Sequence, residues 1–217
     1  MMRKLSILVV LCILLTAIPA AFAAATVELP SEYGVYENAS FNYHVEYPSE
    51  WVLLDNETIN TLIQQFVDGE LKIEGFTSTA LETMKSMISE SGDNGFVEFI
   101  DEGGNNFNIV CYAYPGTPSS AEMTDVLAPQ IIASYQANMS DITVIDGGSL
   151  FGVGDKQYLK VRCQYGINGQ HPTVTSLYLF ENDLLSVLTF TSMSSDEGDL
   201  AVLDQIMNTV LASFSLK

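Results

Sequence analysis

The sequence predicts an α/β/α sandwich (α+β), an antiparallel β-sheet flanked by helices on both faces. Three observations predict it. Residues 174–180 and 184–190 are apolar on both sides: Leu177 and Leu179 oppose Val174, Tyr178 and Phe180, while Leu185 and Val187 oppose Leu184, Leu188 and Phe190. A sheet with one wet face alternates apolar and polar residues, so both faces of these strands need a cover. Several segments carry one apolar helical stripe and are available to provide it. The strands are also joined by short turns, which suit antiparallel neighbours.

Each element follows in order. Residues 1–23 read as a secretory signal. Arg3 and Lys4 form the charged head, Leu5 to Ile18 the apolar run, Pro19 the break, and Ala21-Phe22-Ala23 the small residues of a cleavage site. The apolar run is short for a span of ~20 residues, so cleavage after Ala23 is expected. Residues 24–37 are expected to be an N-terminal lead-in, and 38–217 a single domain.

Phe41, Tyr43, Val45 and Tyr47 alternate with Asn42, His44 and Glu46, the period of a strand. Pro48 and Ser49 turn the chain into the short apolar run 51–54. Asn56 is placed to cap a helix with Ile59, Leu62, Ile63 and Phe66 on one face, stopped by Gly69. A short strand at 71–73 precedes a second helix, opened by the Thr79/Glu82 capping-box pair and closed at Gly92. Strands are expected at 96–101 and 106–114, across the turn Gly103-Gly104-Asn105. A third helix follows Ser119, with Glu122 three residues on. Pro129 lacks a backbone donor and predicts a kink or a later start.

Residues 142–146 and 149–153 read as two short strands. The meander 156–166, 172–181 and 184–193 turns first at Asn168-Gly169 and then around Glu181-Asn182-Asp183. Ser194 and Glu197 form a third capping-box pair. The helix they open carries Leu200, Leu203, Ile206, Met207, Val210, Leu211 and Phe214 on one broad face.

Composition narrows the function. Hydrophobic residues make up 47% of the 217, which excludes disorder throughout. With 8 Lys+Arg against 27 Asp+Glu the formal net charge is −19, the wrong sign for a nucleic-acid binder, which needs clustered cations. Removal of the signal leaves 6 basic residues and a charge of −21. The acids are dispersed, as on a solvated, self-repelling surface. No stretch after the signal is long and apolar enough to cross a membrane, so the mature chain is expected to be secreted and extracytoplasmic.

Two cysteines remain, Cys111 and Cys163, each in phase with apolar strand neighbours. A disulfide between them would close a loop of about 50 residues and contribute ~4 kcal/mol in the chain-entropy model. Two buried thiols are the equal alternative.

The segment Phe41-Asn42-Tyr43-His44-Val45-Glu46-Tyr47-Pro48-Ser49-Glu50-Trp51 resembles the opening F-x-hydrophobic-x-Y-P-x-x-W pattern of the PsbP-like superfamily. Asn208-Thr209-Val210-Leu211-Ala212-Ser213-Phe214 is similar to its terminal helix. The superfamily includes Ran-binding Mog-type proteins and secreted bacterial members of unassigned role. The resemblance implies an α/β/α sandwich around an antiparallel sheet. It also implies a non-enzymatic binding or assembly domain, with a protein or small ligand at the cell envelope as partner. These motifs are packing signatures, so no functional residue is carried over.

Catalytic sets are sparse. His44 and His171 are the only histidines, no G-x-S-x-G element exposes a nucleophile, and no Gly-rich phosphate loop or Cys/His zinc spacing is present. No cofactor is expected. His44 and Glu46 lie two apart on one strand face, the spacing at which two metal ligands converge, and they carry the alternative of a metal-binding protein or metal-dependent enzyme. The loop 91–95 is acidic but lacks ordered calcium-loop spacing. The ten tyrosines and Trp51 offer material for an aromatic platform, although most alternate into core positions. Sequons at Asn38, Asn56 and Asn138 matter only in a glycosylating host.

Overall fold

The computed structural model describes residues 27–54, 61, 64–65, 68, 96–139, 141–166 and 169–217. The signal segment, the strand expected at 71–73, the helix opened by Thr79 and the loop 91–95 lie outside them. Of the helix expected after Asn56, residues 61, 64 and 65 are described and are helical, and Asn56 itself lies outside the described residues.

The strands are β1 (Tyr33–Asn38), β2 (Tyr43–Pro48), β3 (Val52–Leu54), β4 (Val97–Ile100), β5 (Asn106–Ala113), β6 (Ile142–Val153), β7 (Lys156–Tyr165), β8 (Thr173–Glu181), β9 (Leu184–Ser192) and β10 (Ser215–Leu216). Among the described residues they make two sheets, one of three strands in the order β1-β2-β10 and one of seven in the order β3-β4-β5-β9-β8-β7-β6. Every pairing is antiparallel. The fold is α+β.

Two expectations about the N-terminal part are corrected. The segment 24–37 is more than a lead-in. Residues 33–38 pair along their whole length with β2, and Val27 is buried in the core. The antiparallel β structure is also divided, because β1, β2 and β10 form a sheet of their own.

A helical segment follows β5. It runs from a single α turn (Ser120–Glu122) through a π turn (Met123–Leu127) into α1 (Ala128–Asn138). Ser119 caps its start, its hydroxyl accepting from the Glu122 N–H at 3.2 Å. Pro129 lies in the first turn of α1, where its missing N–H costs nothing, so the regular α-helix begins later than Ser119, as the proline predicts. The Ala128 N–H reaches back to the Met123 carbonyl, and this wider π turn gives the proline ring room ahead of it.

The last helix, α2 (Glu197–Ser213), is capped by Asp196, which accepts from the N–H groups of Gly198 and Asp199. Ser194, expected to be the cap, instead accepts from the Asp196 N–H at 3.1 Å and braces the capping residue. Phe214 leaves the helical conformation, and β10 then pairs with β2.

Strand parity divides the large sheet into two faces. Val97, Phe99, Phe107, Ile109, Cys111, Leu177, Leu179, Leu188 and Phe190 point to one side. There they share a core with Leu203, Ile206, Met207, Val210 and Leu211 of α2 and with Tyr43 and Val45 of β2. Phe99, Phe107 and Phe190 stack in a row with centroids 4.6 and 5.4 Å apart, and Tyr47 stacks on Phe99 at 4.4 Å. The cover on this face is therefore shared between a helix and the small sheet, whereas the sequence pointed to helices alone.

The opposite face meets α1, where the Tyr135 hydroxyl lies 2.8 Å from the Ser176 Oγ. The strands expected at 142–146 and 149–153 are one strand, β6, with register shifts on either side of Asp146. At this bulge Gly148 has φ +121° and passes so close to α1 that a methyl group would fall 2.3 Å from the Ala128 Cβ. Only glycine fits there. The β8–β9 turn carries Asn182 and Asp183 at φ 55° and 57°, the left-handed pair of a two-residue hairpin turn.

Candidate functional site

On the α1 face, beyond the end of β5, a cleft of about 500 Å³ opens between the sheet and the helical segment. Its floor is apolar and comes from three elements: Tyr112 of β5, Phe180 and Leu185 of the β8–β9 hairpin, and Leu127 and Ile131 of the helical segment. The strand register explains the floor. Leu185 stands opposite both Tyr112 and Phe180, so three adjacent strands present one residue each to the same spot.

The loop 114–118 forms the wall and is pinned at both ends. The Tyr114 N–H donates to the Asp183 carbonyl at 2.8 Å, and the Gly116 N–H donates to the Asp183 carboxylate at 2.9 Å. At the other end Ser119 caps the helix. Gly116 takes φ +84°, the conformation that the tight loop demands and that glycine adopts without strain.

Tyr114 meets Phe180 edge to face, with centroids 4.9 Å apart and planes at 68°. Glu122 and Gln130 are the polar side chains at the rim, together with Thr117. The Tyr114 phenol is held above its usual range, first by partial burial and then by the neighbouring Glu122 carboxylate.

Farther along the same face lies a second feature. Glu98, Asn108, Thr189 and Ser176 stand opposite one another in register across β4, β5, β9 and β8. Asn106 and Thr191 form an adjoining pair two residues along. All six are buried. Ser176 bonds to Tyr135 and contacts Thr189 at 3.3 Å. Asn106 donates its amide to the Gly104 carbonyl at 3.2 Å. Both carboxylate oxygens of Glu98 and both polar atoms of the Asn108 amide are buried without a hydrogen-bond partner. Burial alone drives the Glu98 carboxyl well above the usual range. A fully buried carboxyl without a counter-charge is favoured in its neutral form.

The residues singled out in the sequence lie elsewhere. Cys111 and Cys163 are both free and buried. They sit on β5 and β7, with β9 and β8 between them. Three strand spacings amount to about 14 Å, well beyond the Cα separation a disulfide spans. Parity also sends them to opposite faces, since Cys111 pairs with Ser186 and Cys163 with Val174. The alternative of two separate thiols is what the structure holds. Burial pushes Cys111 up to about 11 and Cys163 to about 12, so neither is a ready nucleophile.

His44 and Glu46 do share the outward side of β2, as the two-residue spacing requires. The His44 Nδ1 is 2.9 Å from the Ser215 hydroxyl, and the Glu46 N–H donates to the Ser213 Oγ at 2.8 Å. Among the described residues, no group of three His, Cys, Asp or Glu side chains gathers there or elsewhere. His171 is exposed, 4.0 Å from Asp141. Neither histidine lines the cleft. Among the described residues, no helix is long and apolar enough to cross a membrane.

Sequence reasoning missed both features on the α1 face. The polar row was signalled: Glu98, Asn106 and Asn108 alternate with Phe99, Phe107 and Ile109, a pattern that ordinarily marks a wet face. The cleft carried no comparable signal, because its wall is a loop whose position depends on Asp183, some 70 residues away.

No family model and no curated protein matches this sequence. Among solved structures, the chain is similar to the cyanobacterial PsbP of Synechocystis sp. PCC 6803, at 14% identity and TM-score 0.49 over 90% of this chain and 98% of that one. It is also similar to a protein of Bacteroides thetaiotaomicron VPI-5482, at 11% identity and TM-score 0.48 over 84% of this chain, and it spans only 48% of that protein's length. LpqN, involved in cell envelope biogenesis of Mycobacterium tuberculosis, shares 11% identity at TM-score 0.43 over 85% of this chain and 90% of that one. A PsbP is thus among the structures the chain resembles, and the likeness concerns the fold alone.

Proposed function

We propose that this chain is an exported, non-catalytic binding domain of the cell envelope that takes a small, largely apolar ligand in the cleft on the α1 face. The observation that carries this reading is the cleft itself. It has the volume of a small-molecule site, an apolar floor from three elements, and a few polar groups confined to its rim. Its wall is held by backbone and carboxylate hydrogen bonds to Asp183, so little ordering entropy is lost on binding. A binding role is favoured over catalysis by placement, because both thiols are buried and both histidines lie away from the cleft.

The test uses the neutral fluorophore N-phenyl-1-naphthylamine with purified mature protein. Its emission should rise on binding, and Gln130→Trp, which fills the cleft from its half-buried rim, should abolish the rise while leaving the melting temperature within a few degrees. Fluorophore binding that survives in the Trp variant contradicts the assignment. Export is tested separately by the mass of the chain recovered from a secreting host. A chain beginning at Ala24 supports it, and one retaining Met1 does not.

A further inference from the structure

The chemistry around the cleft specifies its ligand more closely. Three aromatic rings (Tyr112, Tyr114 and Phe180) border it, and the Tyr114 and Phe180 planes stand at 68° to each other. The faces of aromatic rings are electron-rich and attract a cation, best when it is weakly hydrated.

Charge points the same way. Among the described residues, Glu122 is the one Asp or Glu that borders the cleft, and no Lys, Arg or His borders it. An anionic ligand would enter a site with no positive partner in a chain of net charge −19. Glu122 and Tyr114 both border the cleft. The carboxylate and an aromatic wall therefore act on the same volume. Beneath them, Leu127, Ile131 and Leu185 offer a purely apolar floor suited to a short alkyl chain.

We propose that the cleft selects an organic cation, an alkylammonium whose charged head sits among Tyr112, Tyr114, Phe180 and Glu122 and whose alkyl chain lies on Leu127, Ile131 and Leu185. This inference rests on the cleft being the ligand site, and it adds the sign of the ligand's charge. A compact inorganic cation does not satisfy the same surface, because the floor is apolar and, among the described residues, one carboxylate borders it. A quaternary head on a six-carbon chain satisfies both parts.

The experiment compares three probes of equal chain length, each below its micellar concentration, by calorimetric titration of the mature protein. These are hexyltrimethylammonium, hexan-1-ol and hexanoate. Hexyltrimethylammonium should bind about tenfold or more tightly than hexan-1-ol, and hexanoate should show no measurable binding. The ammonium-to-alcohol affinity ratio should fall severalfold in Glu122→Gln and again in Tyr114→Leu. It should also shrink as salt is raised, since Glu122 is exposed. Both substitutions are at positions that are not fully buried, and a melting curve confirms the fold before titration.

Equal binding of the alcohol and the ammonium would overturn the charge selection and leave the cleft as an apolar site. A ratio above ten that does not move in either variant would overturn the placement of the cationic head. If none of the three probes binds, the cleft reading itself falls and this inference falls with it.

Discussion

The two faces of the seven-stranded sheet are made from the same strands yet obey different chemistry. On the α2 face every inward side chain of β4 and β5 is apolar, and the Phe99–Phe107–Phe190 stack runs straight across three strands. On the α1 face the same strands present Glu98, Asn106 and Asn108, buried as completely as the phenylalanines. The contrast shows that burial and apolarity are separate requirements. The α2 face gains from removing ring surface from water. The α1 face carries a desolvation cost at its polar row and places its open cleft at the other end, where Tyr112, Phe180 and Leu185 lie.

The largest expected effect breaks the packed face. Phe107→Ala removes the central ring of the stack, which is fully buried. It should destabilise the chain by about 3–5 kcal/mol, read as a drop in the urea midpoint with the slope unchanged. A loss below ~1 kcal/mol would mean that the stack is not the centre of the core.

The next prediction sharpens the contrast, because on the polar face removing a titratable group should help. The folded-state pKa of Glu98 is raised above its ordinary value of 4.5, with burial as the cause. Between those two values the folded chain therefore binds more protons than the unfolded chain. Its contribution is fully present below the ordinary value and is lost as pH rises through the raised one. Glu98→Gln should flatten that decline and raise stability near pH 7 by about 1–3 kcal/mol, because the folded state no longer has to hold a carboxyl protonated above its ordinary pKa. The check is a pH series of urea midpoints for both proteins; parallel profiles would contradict it.

Smaller effects belong to the cover of the α2 face. Asp196→Ala removes the α2 cap and should cost about 1 kcal/mol in the same assay. Asp204→Ala releases Arg162 of β7 from α2, and since the carboxylate is partly exposed the cost should be under ~1 kcal/mol. If Asp204→Ala outweighed Asp196→Ala, the helix would be held mainly by that ion pair rather than by its apolar stripe.

Much of this asymmetry was legible in the sequence. Strands β4, β5, β7, β8 and β9, the turn at Glu181-Asn182-Asp183 and the stripe of α2 follow from periodicity and turn residues. What escaped depends on contacts that the periodicity of a single segment does not record. Residues 33–38 lack clear alternation and become a strand because β2 lies beside them. The run 142–153 reads as two strands because Gly147-Gly148 interrupts it, yet pairing with β7 carries it through a bulge. Ser194 and Asp196 both fit a cap, and only the local geometry selects Asp196. Cys111 and Cys163 share an apolar phase along their strands, but phase carries no information about the two strands inserted between them. The cleft needs Asp183 to hold the loop 114–118, a contact no local pattern announces.

The division of labour between the two faces is tested most directly by amide and methyl chemical-shift mapping with hexyltrimethylammonium. The account predicts that the largest shifts fall on Tyr112, Tyr114, Glu122, Ile131 and Leu185, while Phe107, Ile109 and Leu188 stay still. Shifts centred on His44 and Glu46, or spread through the α2 face, would contradict it.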